Sequence, residues 1–154
     1  MKMLVIDGNS ILNRAFYGIK PLSNKKGVFT NAVFGFMNIY FKHFEAVKPD
    51  YAAVAFDLRS PTFRHKAVAS YKANRKGMPP ELAQQLPLVK QLLTLMGITV
   101  LEKEGFEADD ILGTLSAACS EKNIQCSILT GDRDSLQLID ENVTVRLATN
   151  KDTI

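Results

Sequence analysis

The sequence predicts an α/β fold with a mainly parallel central sheet flanked by helices. Five short apolar runs have the length of buried strands, and longer segments with helical spacing of apolar side chains separate most of them. Alternation of strands and helices is typical of a parallel sheet covered by helices. The 154 residues are enough for a single domain, 1–154, that buries its own core without a disulfide.

The elements are predicted in chain order from these runs. Strands are expected at 3–6, 52–56, 98–101, 126–130 and 143–147. Helices are expected at 30–47, 80–97, 108–122 and 134–139. Pro87 should kink or split the second helix, and Gly97 should end it. The predicted loop 59–80 is long for a connection in a compact domain, and such loops are typically functional or disordered.

The net charge of +3 is concentrated in that loop. Between Leu58 and Pro80 the chain has six basic residues and no acidic residue, whereas the remainder has 13 basic and 16 acidic residues. This asymmetry predicts a surface for a polyanion. A solvated loop without a partner is the alternative that composition leaves open.

The cysteines and the N-terminus indicate the cellular compartment. Cys119 and Cys126 form no C-x-x-C pair and are predicted to be reduced, structural residues of an intracellular protein. The N-terminal residues MKMLVIDGNS resemble neither a signal peptide nor a membrane span. A cytoplasmic protein without a membrane partner is therefore expected.

Acidic side chains follow four of the predicted strands. The carboxyl ends of parallel strands meet at one edge of a sheet, where ligands bind. The seven acidic residues expected there are Asp7, Asp57, Glu107, Asp109, Asp110, Asp132 and Asp134. Each taken singly has an alternative reading as a turn residue or a helix cap. Together they would repel one another unless a cation compensates their charge.

An all-carboxylate cluster favours hard divalent cations, Mg²⁺ or Mn²⁺. Seven acids exceed what one Mg²⁺ needs, so two ions are expected, an arrangement typical of phosphodiester hydrolysis. Zinc is not expected, because neither His43 nor His65 has a partner at ligand spacing. We interpret His43 as a packing or surface residue of its helix.

The basic loop supplies matching groups for a nucleic acid. Lys72 and Arg75 are three residues apart and would share one face of a helix, where both can contact a phosphate. Tyr71 and Phe63 place aromatic side chains among the basic ones, a pattern typical of surfaces on which bases stack. A mobile, solvated loop remains the alternative.

Four motifs span nearly the whole chain: VIDGNSILNRAFYG, AFDLRSPTFRHKAVASYKANR, GFEADDILGTL and LTGDRDSLQLI. Together, and in this order, they resemble the 5′-nuclease domain of bacterial DNA polymerase I, a member of the flap-endonuclease family within the PIN-like fold. The resemblance implies Mg²⁺-dependent hydrolysis of DNA phosphodiesters at 5′ flaps, nicks and gaps, as in primer removal and repair. It also implies a monomer that is fused to, or acts with, a DNA polymerase at the bacterial nucleoid.

The resemblance also assigns roles to residues. The first metal site would be formed mainly by Asp7, Asp57, Glu107, Asp109 and Asp110, and the second would use Asp132 and Asp134. Residues 59–96 would form a basic helical arch, in which Lys72 and Arg75 contact the scissile phosphate. The additional DNA contacts implied are Arg64, Lys66 and Tyr71.

One departure from the family concerns the C-terminal end of the sequence. Family members continue into a G-D-x-x-D-N segment, which adds two aspartates to the second site, and into a helix–hairpin–helix element that grips duplex DNA. Nothing between 140 and 154 matches either feature. The sequence is therefore expected to be a fragment with an incomplete second site and low activity.

Three other protein classes fit parts of the pattern. A haloacid-dehalogenase-type phosphatase requires an acid where Asn9 stands and another where Leu136 stands. A PIN-type ribonuclease shares the acids but lacks the segment SYKANR. A non-catalytic nucleic-acid-binding module, with the acids acting as helix caps, remains open.

Overall fold

The computed structural model describes residues 1–73 and 76–148. Within these residues the strands are β1 (Lys2–Asp7), β2 (Tyr51–Ala55), β3 (Thr99–Leu101), β4 (Gln125–Thr130) and β5 (Val143–Leu147). They form one sheet in the order β3-β2-β1-β4-β5, and every neighbouring pair is parallel. In the register of the central strands Val5 lies opposite Ala53 of β2 and Ile128 of β4.

Helices connect the strands and cover both faces of the sheet. They are α1 (Gly8–Gly18), α2 (Asn31–Val47), α3 (Phe63–Ala67), α4 (Pro80–Ala83), α5 (Gln85–Leu95) and α6 (Ala108–Glu121). A 3₁₀ helix, Arg133–Leu138, lies between β4 and β5. Among the described helices none is long and apolar enough to cross a membrane.

The core is divided by the sheet into two apolar clusters. Leu4 and Ile6 of β1 pack with Phe36 of α2 on one face, whereas Val5 packs with Leu112 of α6 on the other. All five side chains are fully buried. Successive side chains of a strand point to opposite faces, and burial on both faces explains the uninterrupted apolar run 3–6 within β1.

At two glycines of α1 and α2, neighbouring residues come too close to leave room for a side chain. A Cβ atom at Gly8, the first residue of α1, would lie 2.5 Å from the ring of Phe56. A Cβ atom at Gly35 would lie 2.9 Å from the Cβ atom of Ala15, where α1 crosses α2. Both distances are too short for a side chain, so these glycines allow α1 to pack closely against β2 and α2.

The predicted strands are confirmed within one residue at either end, and Pro87 does split the second predicted helix. The split falls at Gln84, between α4 and α5, and leaves Pro87 in the first turn of α5, where a missing N–H is tolerated. The predicted helix 134–139 is a 3₁₀ helix. Two helices were not predicted, α1 and the five-residue α3.

Several predictions for the long loop are corrected. Tyr71–Ala73 forms a turn, and Lys72 has a left-handed backbone with φ of 55°, so the expected helix does not include Lys72. Arg75 lies outside the described residues. The helical arch expected at 59–96 stays a prediction. Within that range α5 packs into the core through Val89 and Leu93.

Candidate functional site

The carboxyl edge of the sheet carries a cleft of about 290 Å³ with an acidic lining. Strands β1, β2 and β4 end at this cleft, and α6 begins there. Six of the seven predicted acidic residues line it. The twelve lining residues are Asp7, Asn9, Ser10, Asn13, Asp57, Tyr71, Lys72, Glu107, Ala108, Asp109, Asp132 and Asp134.

Asp7 lies at the buried end of the cleft and caps α1. Its carboxylate accepts hydrogen bonds from the Ser10 N–H at 3.1 Å and from the Thr130 hydroxyl at 2.9 Å. Burial raises the pKa of Asp7 to about 6, against these two hydrogen bonds, and the negative charges of Asp109 and Asp57 raise the pKa further. The fold therefore holds this carboxylate in a place where its negative charge is unfavourable.

Asp57 joins two neighbouring elements of the cleft. Its Oδ1 accepts a hydrogen bond from the N–H of Ala108 at 2.6 Å, at the start of α6. Its own N–H donates to Oδ1 of Asn9 at 2.7 Å, in the first turn of α1. Asp57 thus acts as a cap in this structure and still lines the cleft. Since a carboxylate has about four lone-pair sites, capping does not exclude a second role.

Asp109 has three other carboxylates around it. Burial raises its pKa, and the negative charges of Asp132, Asp57 and Glu107 raise it further. It lines the acidic cleft and also a neighbouring cleft of about 420 Å³, which Asp134 borders as well. Asp109 therefore lies between the two groups of acids that the sequence predicts for two cations.

Asp132 and Asp134 belong to the turn after β4. Asp132 caps the 3₁₀ helix, because its Oδ1 accepts the N–H of Asp134 at 2.9 Å. The Asp132 N–H donates to the hydroxyl of Thr130 at 3.0 Å, and the same hydroxyl donates to Asp7. One threonine side chain thus links the carboxyl ends of β1 and β4.

Glu107 and Asp110 are held by basic side chains of the long loop. Arg64 donates from Nη1 to Glu107 Oε2 at 2.8 Å and from both terminal nitrogens to Asp110, at 2.9 and 2.8 Å. Lys72 forms an ion pair with Oε1 of Glu107, and the Tyr71 hydroxyl donates to Oε2 at 2.9 Å. Asp110 is the one predicted acid that does not line the acidic cleft; it borders the neighbouring cleft.

These contacts change the protonation equilibria of all four groups. The Arg64 guanidinium lowers the pKa of Asp110 despite burial, and that hydrogen bond raises the pKa of Arg64. Burial disfavours the charged forms of both Glu107 and Lys72, because it raises the pKa of the acid and lowers that of the base. Their mutual contact outweighs it, so the pKa of Glu107 is lowered and that of Lys72 is raised. All four groups are therefore charged near neutral pH.

The donor set of the cleft fits a hard divalent cation. It consists of carboxylate oxygens, and the unfavourable negative charge at Asp7 and Asp109 is what a cation relieves. Among the described residues, however, no three acidic, histidine or cysteine side chains converge on one ion-binding point as they stand. Glu107 and Asp110 point to Arg64 and Lys72 instead.

The other predicted DNA contacts have different environments. Lys66 is exposed on α3, and Phe63 is exposed beside it, with the Arg64 guanidinium 4.5 Å from the centre of its ring. Arg64 is expected from the sequence to contact phosphate, but here it contacts carboxylates of its own chain. His43 is a packing residue as interpreted, fully buried with Nδ1 accepting a hydrogen bond from Arg146 at 3.0 Å.

Three polar residues that line the cleft, and Thr130 at the end of β4, were not predicted as site residues. Asn9 orients Asp57, Thr130 orients Asp7, and the hydroxyl of Ser10 accepts the Gly131 N–H at 2.8 Å. Asn13 lines the cleft one turn further along α1. For Asn9 and Ser10 the signal was available in the motif DGNS, which places polar side chains directly after a strand at the ligand-binding edge.

Comparison with known proteins identifies the family. The family model of the 5′-3′ exonuclease N-terminal, resolvase-like domain matches residues 2–154. The chain belongs to this family. The chain is 45% identical to DNA polymerase I of Caldicellulosiruptor bescii over 151 residues, and this match covers 98% of the chain and 18% of the polymerase. It is 41% identical to a 5′-3′ exonuclease of Aquifex aeolicus, covering 94% of the chain and 50% of that protein.

Solved structures of T5 nucleases are similar to this chain in fold. The T5 D15 protein co-crystallised with metal ions has a TM-score of 0.74 and 16% identity, over 99% of this chain and 56% of that one. A pseudo-enzyme–product complex of the T5 D15 flap endonuclease with DNA and metal ions has a TM-score of 0.69 and 14% identity, over 99% and 57%. These matches confirm the predicted PIN-like 5′-nuclease fold. The chain spans about a sixth to a half of the relatives' length.

Proposed function

We propose that the chain hydrolyses DNA phosphodiesters near free 5′ ends, as a metal-dependent 5′-nuclease acting on flaps, nicks and gaps. The observation that supports this most is the cleft in which six carboxylates meet at the carboxyl edge of the sheet. Family membership supports the reaction class, and the relatives named DNA polymerase I support a role beside a polymerase in primer removal and repair. The proposed setting is the bacterial cytoplasm, at the nucleoid, with the protein as a monomer.

Two cations, Mg²⁺ or Mn²⁺, are the proposed cofactors. The residues proposed to hold them are Asp7, Asp57, Glu107, Asp109, Asp110, Asp132 and Asp134, and the T5 relatives with bound metal ions support divalent metal use. When bound, such ions lower the pKa of an attacking water and stabilise charge on a phosphate. Hydrogen bonds from Ser10, Thr130 and Ala108 fix the Asp7 and Asp57 carboxylates, so these groups need little reorganisation.

The basic loop is proposed to hold the DNA. Lys72 borders the acidic cleft, so its ammonium group can reach a phosphate there, together with Arg75. Tyr71 borders the same cleft and is proposed to stack on the terminal base, while Arg64 and Lys66 contact neighbouring phosphates. Neutralising Lys72 should lower turnover more than affinity, because phosphate positioning matters most in the transition state.

The test is cleavage of 5′-labelled flap DNA by the parent and two variants from α6. Asp109→Asn removes a cleft carboxylate, and Glu121→Gln removes an exposed carboxylate at the opposite end of the same helix. We expect Mg²⁺-dependent cleavage by the parent and Glu121→Gln, and almost none by Asp109→Asn. Equal cleavage by all three proteins, or cleavage in excess chelator, would contradict the proposal.

The same assay distinguishes two other functions. A PIN-type ribonuclease would cleave single-stranded RNA in preference to flap DNA. A non-catalytic nucleic-acid-binding module would bind the flap without cleaving it and without a divalent cation. The proposed function predicts preference for the flap over single-stranded RNA of the same length.

A further inference from the structure

The segment Thr62–Lys72, which we name the strap, contacts the acids at the start of α6. Arg64 and Lys72 are its charged contacts, and both bind Glu107 while Arg64 also binds Asp110. The side chain of Glu107 is only 7% exposed, that of Asp110 is 22% exposed, and those of Arg64 and Lys72 are 34% and 25% exposed. The ion pairs are thus partly shielded from water. Shielded ion pairs are stronger than those on an open surface.

The strap is a built structure rather than a chance approach of long side chains. Thr62 and His65 form a capping box at the start of α3. The Phe63 N–H donates to the carbonyl of Gly105 at 2.9 Å, and the Phe63 ring lies 5.7 Å from that of Phe106, centre to centre. These contacts attach the strap to the residues directly before α6, and so they hold Arg64 over the two acids.

The contacts use the oxygens that a cation would need. Glu107 Oε1 binds Lys72, and Oε2 accepts from both Arg64 and Tyr71. Both oxygens of Asp110 accept from Arg64, and Oδ2 also accepts the N–H of Glu107. A carboxylate offers about four lone-pair sites, and direct ligation to Mg²⁺ needs near-ideal geometry. Each of the two carboxylates already accepts three such contacts, so an ion that binds them competes with the basic side chains for the same oxygens.

From this arrangement, and resting on the proposed function, we infer that Arg64 and Lys72 are tethered counter-ions of the acid cluster, which a divalent cation must displace. The exchange conserves charge, since two single positive charges leave as one double charge enters. Arg64 is thereby a positioning residue for Glu107 and Asp110. Displacement frees two cationic side chains beside the cleft, so cation binding and DNA-phosphate binding by the strap are coupled.

The first test is titration of the purified chain with Mn²⁺, with free Mn²⁺ measured by electron paramagnetic resonance. Arg64→Gln removes the displaced group, and Arg59→Gln removes an equal charge from an exposed residue three positions before the strap. We expect Arg64→Gln to bind Mn²⁺ about fivefold more tightly than Arg59→Gln. Arg64→Lys, which keeps the charge and loses the two-pronged contact, should fall between the parent and Arg64→Gln.

The second test is amide hydrogen exchange of peptides from 59–73, with and without Mn²⁺. Binding to the native state slows exchange through global unfolding. Release of the strap should nevertheless accelerate exchange at Lys66 and Val68, whose N–H groups bond to Thr62 and Arg64 carbonyls. A strap with a merely structural role would exchange more slowly, or at the same rate, when Mn²⁺ is added.

The outcomes separate this inference from the proposed function. Saturable Mn²⁺ binding with equal affinity in Arg64→Gln and Arg59→Gln, or weaker binding in Arg64→Gln, overturns the counter-ion inference and leaves the metal site standing. Absence of saturable binding in every protein overturns both. Tighter binding by Arg64→Gln with faster exchange in the parent strap supports both.

Discussion

The two edges of the sheet both carry acidic residues, but in different surroundings. At the amino edge, Asp50 accepts the N–H of Lys2 at 2.8 Å, and Asp140 accepts from Ser120, Asn142 and Val143. Both acids are exposed, and the Ser120 hydrogen bond lowers the pKa of Asp140. At the carboxyl edge, burial and neighbouring carboxylates raise the pKa of Asp7 and Asp109.

Hydrogen bonding does not distinguish the two edges. Asp132 caps a turn through the N–H two residues ahead, as Asp140 does with Asn142. What differs is that six of the carboxyl-edge acids share one cleft, whereas Asp50 and Asp140 do not line it. A capping role and a functional role are therefore compatible in one residue, and crowding of carboxylates is the feature that points to a cation.

Activity should show the largest difference between the edges. If the cleft binds the proposed ions, Asp109→Asn should lower the Mg²⁺-dependent cleavage rate of flap DNA about a thousandfold, because bound ions contribute several kcal/mol of transition-state stabilisation. Asp140→Asn should leave the rate within about twofold, since its side chain lies at the other edge. Single-turnover rates at saturating enzyme measure both. Similar decreases of the cleavage rate in the two variants would contradict the claim that the two edges differ in function.

Acid should destabilise a third region, the contact between α2 and β5. Burial first, and then the positive charges of Arg146 and Lys42, lower the pKa of His43 to about 4. In the unfolded chain the pKa of a histidine is about 6.5. The stabilisation that depends on neutral His43 is therefore complete above that pH and is lost as pH falls from about 6.5 to 4. Within this range the free energy of unfolding should fall by up to about 1.4 kcal/mol per pH unit because of His43. Urea unfolding of the parent and His43→Gln between pH 7.5 and 4 tests this, and identical pH dependence would contradict it.

The effect of Mg²⁺ on thermal stability should depend on the acids of the carboxyl edge and not on those of the amino edge. Ions that bind the native state raise the Tm. We expect millimolar Mg²⁺ to raise the Tm of the parent and of Asp50→Asn equally, and that of Asp109→Asn less. In chelator, Asp109→Asn should be as stable as the parent or more stable, because one source of carboxylate repulsion is gone. An equal Mg²⁺ response in all three proteins would contradict the assignment.

The smallest expected effect belongs to the amino edge. Asp140→Ala removes an acceptor for Ser120, Asn142 and Val143. We expect a Tm decrease of a few degrees that is the same with Mg²⁺ and with chelator, as is typical of a lost cap. Differential scanning calorimetry in both buffers measures this. A decrease that depends on Mg²⁺ would mean that the two edges are coupled.

The sheet and its acidic edge could be predicted because local pattern carries that information. A buried parallel strand is a continuous apolar run, and an acid directly after such a run lies at the ligand-binding edge. Helix α1 was missed because its first turn, Gly8, Asn9 and Ser10, consists of poor helix formers. It is stabilised by the Asp7 cap and by the close contact of Gly8 with Phe56, and the second is a tertiary contact.

The strap could not be predicted from local pattern. Arg64 pairs with acids 43 and 46 positions later in the chain, and no spacing rule connects residues so far apart. The family resemblance implied a DNA-phosphate contact for Arg64, and the positive charge of the loop agreed with it. Likewise, spacing of three predicted a helical face for Lys72, whereas the described turn gives Lys72 a left-handed backbone that lets it reach Glu107.

The most direct test of the central claim is calorimetric titration of Mg²⁺ into two matched double variants. One is Asp7→Asn with Asp109→Asn at the carboxyl edge, and the other is Asp50→Asn with Asp140→Asn at the amino edge. Both remove two carboxylates and the same formal charge. The account predicts that the amino-edge variant binds Mg²⁺ like the parent and that the carboxyl-edge variant shows no saturable binding. Equal binding by the two variants would contradict it.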